Sequence, residues 1–386
     1  AVTTNREIVA NHLAYTHLYM FFSSRNNILN KYVSIDPGKG DTKVAVYQDG
    51  QPVKTYIYNT KYCEGDFCDD ALEKGTFIAE INGKTYKVGN GALESAEMEI
   101  SKKSEIHKIS TLLALAMVAD PDIVDELNVV VSCALSEYSI PAKRQEYLSY
   151  ILPEDETTVK IKRKSDEEPV VKRFIVKKKK VLPETSGIFF LNMIKGYDGE
   201  PIGIIDIGNG TAIGAVYSDY AIDHDFDFTK LQGGDILISS LSEKLSSMFS
   251  RYNKKYTLNL LLKDPSERKL AGPTNLPEAE KKSNEQRSAQ IIHEYIIKYL
   301  REIRRSCDTE QWSLDYMPII FGGGTSFMLQ SEIKEVFGDN IRFAPNGVFA
   351  NCLGALVRFI QLCENRVIDI NNTSESHGKK EDKKEE

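Results

Sequence analysis

Long apolar runs are missing from this 386-residue sequence. The longest, Leu112–Ala119, falls far short of the ~18 residues that suggest a membrane span. The first residues lack the basic start and apolar core of a secretory signal. Cysteine is sparse: six residues, none in CxxC spacing, with Cys63 and Cys68 too loosely framed for a zinc knuckle. They read as reduced thiols of a cytoplasmic protein. Excess positive charge is absent as well. The net charge is −7, so the whole molecule lacks the electrostatic footprint of a nucleic-acid binder. Several catalytic signatures fail on spacing. Gly83-Lys84-Thr85 has Ile78 where a P-loop needs its first glycine, and His293-Glu294 has Ile297 where a zincin needs its second histidine. No GxGxxG follows a strand, and no Gly-x-Ser-x-Gly elbow occurs.

What is present is a globular balance of 41% hydrophobic and 27% charged residues, which excludes a wholly disordered chain. Two or three domains are expected at this length, because single cores stop growing near ~250–300 residues. An internal repeat organises the chain. Tyr32–Tyr47 reads YVSIDPGKGDTKVAVY and Ile202–Tyr217 reads IGIIDIGNGTAIGAVY, 170 residues further on, with seven of sixteen positions identical. Each copy is an apolar strand, a turn with Asp and two Gly, and a second apolar strand, the pattern of a β-hairpin.

Each half continues alike. In the first, Val53–Tyr58 reads as a strand, Thr76–Glu80 and Thr85–Val88 flank an Asn82-Gly83 turn, and Leu127–Cys133 reads as a doubly buried strand. Glu105–Ala119 and Pro141–Leu152 have helical spacing. In the second half, Ala221–Phe228 and Met317–Phe321 read as strands, and Gly234–Phe249, Ser283–Arg305 and Asn346–Cys363 as helices. Strands followed by helices in both halves give an α/β architecture. Leu13, Leu18 and Phe21 suggest a short helix in a leader over 1–30 with no assigned role, and a polar C-terminal stretch over 367–386 is expected to be a disordered tail.

The turn DPGKGDTK (36–43) has glycines that let backbone N–H groups point at an anion, a cation in Lys43, and in Asp36 a carboxylate able to hold hydrated Mg²⁺. The turn DIGNGT (206–211) repeats the arrangement. One such turn occurs in plain hairpins; two in register read as jaws closing on one polyphosphate. A third cluster, Gly322-Gly323-Gly324-Thr325, follows a buried strand and precedes a helix, where a backbone approaches a ligand at the carboxyl edge of a sheet.

With LPETSG (182–187), FGGGTS (321–326) and PNGVFANCLGAL (345–356), these motifs resemble, in order, the phosphate-1, connect-1, phosphate-2, adenosine and connect-2 set of the actin/Hsp70/sugar-kinase ATPase superfamily. The resemblance covers about residues 31–363 and is nearest to the ParM-type bacterial actins that segregate plasmids. It implies an actin-like ATPase fold of two duplicated RNase H-like domains around a nucleotide cleft. Domain I would span 31–198, with a return at about 345–366, and domain II 199–344. Asp36 and Asp206 would hold Mg²⁺ through water. Gly38, Lys39, Gly40, Lys43, Gly208, Asn209, Gly210 and Thr211, with the two Asp residues, would surround the phosphates of ATP or GTP. Gly322, Gly323, Gly324 and Thr325 would pass beneath the adenosine, and Glu184 would be the catalytic acid that orients the attacking water. Asn209 departs from conventional actins, which have a second acidic residue there. The implied partners are further copies of the chain in a filament and a DNA-binding adaptor of ParR type on plasmid centromere DNA, with no membrane.

Two other readings of the residues remain beside this one. Lys160–Lys180, with Lys177-Lys178-Lys179-Lys180, reads as a lysine-rich solvated or edge strand pair, in preference to a DNA patch. Within the superfamily, a small-molecule kinase of the sugar-kinase branch would need a sugar pocket, a chaperone would need a peptide-binding domain, and a cell-shape actin would need an amphipathic membrane segment.

Overall fold

The computed structural model describes residues 30–67, 72–93, 101–163, 167–193, 197–249, 252–366, 368, 370 and 374–375. The helix expected around Leu13, Leu18 and Phe21 lies outside them. The chain opens with the hairpin β1 (Lys31–Pro37) and β2 (Asp41–Gln48), followed by β3 (Lys54–Asn59), β4 (Tyr62–Glu64), β5 (Thr76–Ile81) and β6 (Lys84–Gly89). Asn82 and Gly83 both take positive φ, which the tight β5–β6 turn requires. Next come α1 (Glu105–Val118), β7 (Val124–Cys133), the short α2 (Leu135–Tyr138), α3 (Pro141–Ile151), β8 (Thr157–Lys162) and β9 (Val170–Pro183). Helix α4 (Ser186–Met193) leads to the second half: β10 (Ile202–Ile207), β11 (Ala212–Ser218), β12 (Ala221–Lys230), α5 (Gly234–Phe249), α6 (Lys254–Leu261), α7 (Glu278–Thr309), β13 (Ile319–Gly322), α8 (Gly324–Met328), α9 (Gln330–Phe337) and β14 (Ile341–Phe343). Helix α10 (Ala350–Glu364) and the two-residue β15 (Ser374–Glu375) close the described chain.

These strands form two sheets, ordered β15-β3-β2-β1-β7-β9-β8-β5-β6-β4 and β12-β11-β10-β13-β14. Five neighbours of the first, β3-β2-β1-β7-β9, match the whole second sheet in order and direction. In each, a hairpin and a third antiparallel strand precede two parallel additions to the first strand. The hairpin registers coincide under the 170-residue shift: Asp36 faces Lys43 as Asp206 faces Ile213, and Tyr32 faces Tyr47 as Ile202 faces Tyr217. The repeat in the sequence is therefore a repeat in space.

Alternation along the strands assigns the layers. Val33 and Ile35 face α1 in one core, while Tyr32 faces α10 in a second. On β10, Ile204 joins that second core, whereas Ile205 and Ile207 pack with Leu241 of α5 and Leu300 of α7 in a third. The middle core thus draws on both sheets and is filled by α4 and α10. Those helices cross almost backbone on backbone: a Cβ on Gly187 would collide with the Asn351 carbonyl, and one on Gly354 with the Gly187 carbonyl. The segment Gly347–Glu364 is long and apolar enough to span a membrane, but its Leu353, Leu356, Phe359 and Ile360 are buried in this core.

Two local expectations change, and a third holds in part. Strand β9 lies between β7 and β8, but β8 pairs only with Val170–Phe174, so Lys178–Lys180 pair with β7 alone; Lys177 meets Glu126 and Lys179 meets Glu154. The tail expected to be disordered is ordered at Ser374–Glu375, which pair with Lys54 and Thr55, while Ile368 and Ile370 are buried. Helix α7 begins at Glu278, ahead of the expected Ser283. Its first turn carries Glu278 and Glu280, which suit the helix dipole but have no apolar period to reveal them.

Candidate functional site

Parallel strands present their carboxyl ends on one side, and the expected site residues collect there. Asp36, Glu184, Asp206 and Gly322 stand at the ends of β1, β9, β10 and β13. The two hairpin turns meet face to face. A Cβ on Gly40 would stand 2.8 Å from Cβ and Nδ2 of Asn209, and one on Gly210 would stand 2.8 Å from Cδ of Lys39. Each turn's glycine therefore receives the other turn's side chain. Internal bonds close the turns, Gly38 N–H to Asp36 O (2.9 Å) and Gly208 N–H to Thr211 O (2.9 Å). The start of α5 is spent on the second turn, since Gly234 N–H donates to Gly208 O (2.9 Å) and Asp235 N–H to Asn209 O (2.8 Å). The N–H groups of Gly40, Asn209 and Gly210 have no protein acceptor among the described residues.

Two buried carboxylates, Asp36 and Glu184, and the half-buried Asp206 surround this contact, and their environments differ. Asp36, 7% exposed, is raised by burial, but Lys102, Lys43 and Ser132 outweigh this and hold its carboxyl well below the usual range. Lys102 Nζ lies 2.9 Å from Asp36 Oδ1, Ser132 Oγ donates to the same oxygen at 2.5 Å, and Lys43 Nζ is 3.9 Å from Oδ2. Glu184, 8% exposed, is pushed up by burial against the pull of Lys102, whose Nζ is 2.7 Å from its Oε1. Asp206 is pushed up to about 7 by burial and then by the Asp36 charge, with Lys43 opposing. Burial works against the Lys102 ammonium, yet Asp36 and Glu184 keep it charged, its pKa well above the ordinary value.

The backbone beside Glu184 is constrained. Its N–H donates to Cys133 O (2.9 Å), and the next residue, Thr185, is fully buried at φ +76. A β-branched residue in the left-handed region is strained and persists only where tertiary contacts enforce it. Here the Thr185 hydroxyl meets the Tyr217 hydroxyl at 3.0 Å.

Two of the three consecutive glycines are explained by close approach. Gly322 faces Ile188 of α4. Gly323, at φ +85, passes so close to the Asp206 carboxylate and Ile207 carbonyl that a Cβ would collide with both. Thr325 Oγ1 donates to Gly208 O (3.0 Å), tying this loop to the second turn. Arg268, buried, reaches Glu332 (2.6 Å) and the Met328 carbonyl (2.7 Å) and fixes the end of α8.

The fold family implies Mg²⁺, and the donor set fits a hydrated ion. Asp36 Oδ1 is saturated by Lys102 and Ser132, and Asp206 is a half-buried carboxylate short of positive charge. No group of three His, Cys, Asp or Glu suited to a metal occurs among the described residues, so a cation here would retain waters.

Sequence reading missed Lys102 and Ser132. Lys102 sits in the polar run Ser101-Lys102-Lys103-Ser104 ahead of α1, and Ser132 ends an apolar strand. Neither has a spacing that distinguishes it from a surface lysine or a strand-end serine. Only the strand order, which sets β7 between β1 and β9, brings them to Asp36 and Glu184.

Comparison with known proteins bears on the fold. Residues 34–187 match the family of actin-like protein N-terminal domains. No curated protein matches the chain. Among solved structures, an Alp12 filament superposes with a TM-score of 0.62 at 20% identity, covering 86% of this chain and 99% of that one. Ta0583, an archaeal actin homologue in complex with ADP, gives 0.63 at 17% identity, covering 84% and 97%. A subunit of a 15-stranded ParM filament from Clostridium botulinum gives 0.64 at 16% identity, covering 86% and 99%. The protein has the actin-like fold. Its N-terminal part matches the actin-like family, and ParM proteins are among its structural neighbours.

Proposed function

We propose that this chain is a nucleotide-dependent polymerising protein whose filaments serve plasmid segregation and whose hydrolysis of ATP or GTP drives filament disassembly. The observation that carries this reading is the contact of turns 36–43 and 206–211 at the junction of the two sheets, beside the buried Glu184. Asp36, Gly38, Lys39, Gly40, Lys43, Asp206, Gly208, Asn209, Gly210 and Thr211 would surround the phosphates. Gly322–Thr325 would run beneath the nucleoside. Asp36 and Asp206 would hold Mg²⁺ through water. Once bound, that ion neutralises phosphate charge. Glu184 would fix the attacking water in line with the leaving oxygen.

Nucleotide bridging the two turns would draw the two halves of the chain together and favour the polymerising shape; loss of the terminal phosphate would remove part of that bridge. Similarity to a ParM filament supports self-assembly; an adaptor of ParR type linking the filament to plasmid DNA is part of the same proposal. Light scattering of the protein with and without Mg-ATP or Mg-GTP, followed by electron microscopy, tests the reading. Nucleotide-dependent filaments that fade as phosphate appears are expected. Flat scattering with no filaments overturns it.

A further inference from the structure

We infer that Lys102 is the positioning residue of the hydrolytic site: its ammonium fixes Glu184 against Asp36 and acts on the phosphates only through those two groups. The inference rests on the reading of this site as a nucleotide hydrolase. Asp36 lies on β1 and Glu184 directly follows β9, strands separated by β7, yet their carboxylates converge on one nitrogen. An ammonium has three donors and no acceptor. Here three acceptors surround it, Glu184 Oε1 at 2.7 Å, Asp36 Oδ1 at 2.9 Å and Ser132 Oγ at 3.4 Å. With three partners and 3% exposure, Lys102 has no donor left for a phosphate oxygen. Its contact with Glu184 is through Oε1, which leaves Oε2 to hold a water.

Without Lys102, Glu184 would lose its fixed direction beside Asp36. Lys43 cannot substitute, because it approaches Asp36 from the Oδ2 side at 3.9 Å.

A double-mutant cycle with a separate binding measurement tests this. Lys102→Met, Glu184→Gln and the double variant would be compared with wild type for Mg-nucleotide affinity by titration, single-turnover phosphate release and thermal unfolding. The expected result is a Lys102→Met protein that binds nucleotide within about threefold of wild type and releases phosphate about 10²-fold or more slowly, as losing a positioned proton acceptor does. In the Glu184→Gln background the same substitution should add less than about threefold, because residues acting as one unit are not additive. Affinity lost in proportion to rate, or full multiplication of the two effects, overturns the inference and makes Lys102 an independent phosphate ligand. Wild-type rate in Lys102→Met also overturns it. If Lys102→Met does not fold, Lys102→Arg serves: its longer planar head keeps the charge but displaces Glu184, so slow release with retained binding is expected, and a wild-type rate overturns the role. A wild-type protein that releases no phosphate from Mg-ATP or Mg-GTP overturns the hydrolase reading, and this role with it.

Discussion

His107, near the start of α1, has Nδ1 2.7 Å from Ser104 Oγ and a buried Nε2 with no partner. Burial, then the Lys102 and Lys39 charges, push its pKa down to about 3, with Asp36 opposing. In the unfolded chain the imidazole takes up a proton near pH 6.5. Between that value and about 3 the unfolded state therefore binds one more proton than the folded state. Stability from a neutral His107 is fully present above pH 6.5 and is lost as pH falls, at up to about 1.4 kcal/mol per pH unit. His107→Gln should flatten this slope. Urea unfolding of both proteins from pH 7 to pH 4 measures it; a gap between them that stays constant with pH would show that His107 does not carry the proton. The residues that spacing revealed, Asp36, Gly38, Asp206 and Gly208, are legible because the chain repeats them. Lys102 meets Asp36 and Glu184, neighbours distant in sequence, and one sequence holds no sign of such contacts.

Elements were easier to read where one physical rule dominated. Gly234–Phe249 was legible to the residue from its helical period, and Asn82-Gly83 from the φ its turn demands. The start of α7 was hidden in a polar first turn, and β15 in a polar tail, because backbone pairing at a sheet edge needs no apolar pattern. Two predictions belong at this scale. Gly354→Ala drives a methyl into the Gly187 carbonyl and must separate α4 from α10, which should cost about 1–3 kcal/mol or more and lower the thermal midpoint. An unmoved midpoint would mean that the crossing has room. Deleting 371–386 removes only β15 from the described elements, whereas deleting 367–386 also takes Ile368 and Ile370 out of the middle core, at about 1.5–3 kcal/mol each. The longer deletion should melt well below the shorter one, which should keep its nucleotide turnover; equal midpoints would remove the two isoleucines from the core.

At the scale of the molecule, duplication brings two turns together, and in the proposed reading that separates holding from cutting. Each half contributes a turn, and the turns touch, so nucleotide bound between them couples the halves whether or not it is hydrolysed. Glu184 comes from the end of β9, outside both hairpins, and its buried contacts are with Lys102 and the strand that carries Cys133. Assembly should therefore not require it. Hydrolysis should, since positioning the attacking water typically contributes about 10²–10⁴-fold. Glu184→Ala is expected to polymerise with Mg-nucleotide, to release phosphate at least about 10²-fold more slowly, and to give filaments that persist after wild-type filaments have disassembled. Paired light-scattering and phosphate-release traces on one sample measure both. Release at the wild-type rate would mean that another group positions the water. A folded, nucleotide-binding variant that cannot assemble would mean that the Glu184 carboxylate, through Lys102 and Asp36, is needed to set the closed shape itself, and that holding and cutting share one machinery.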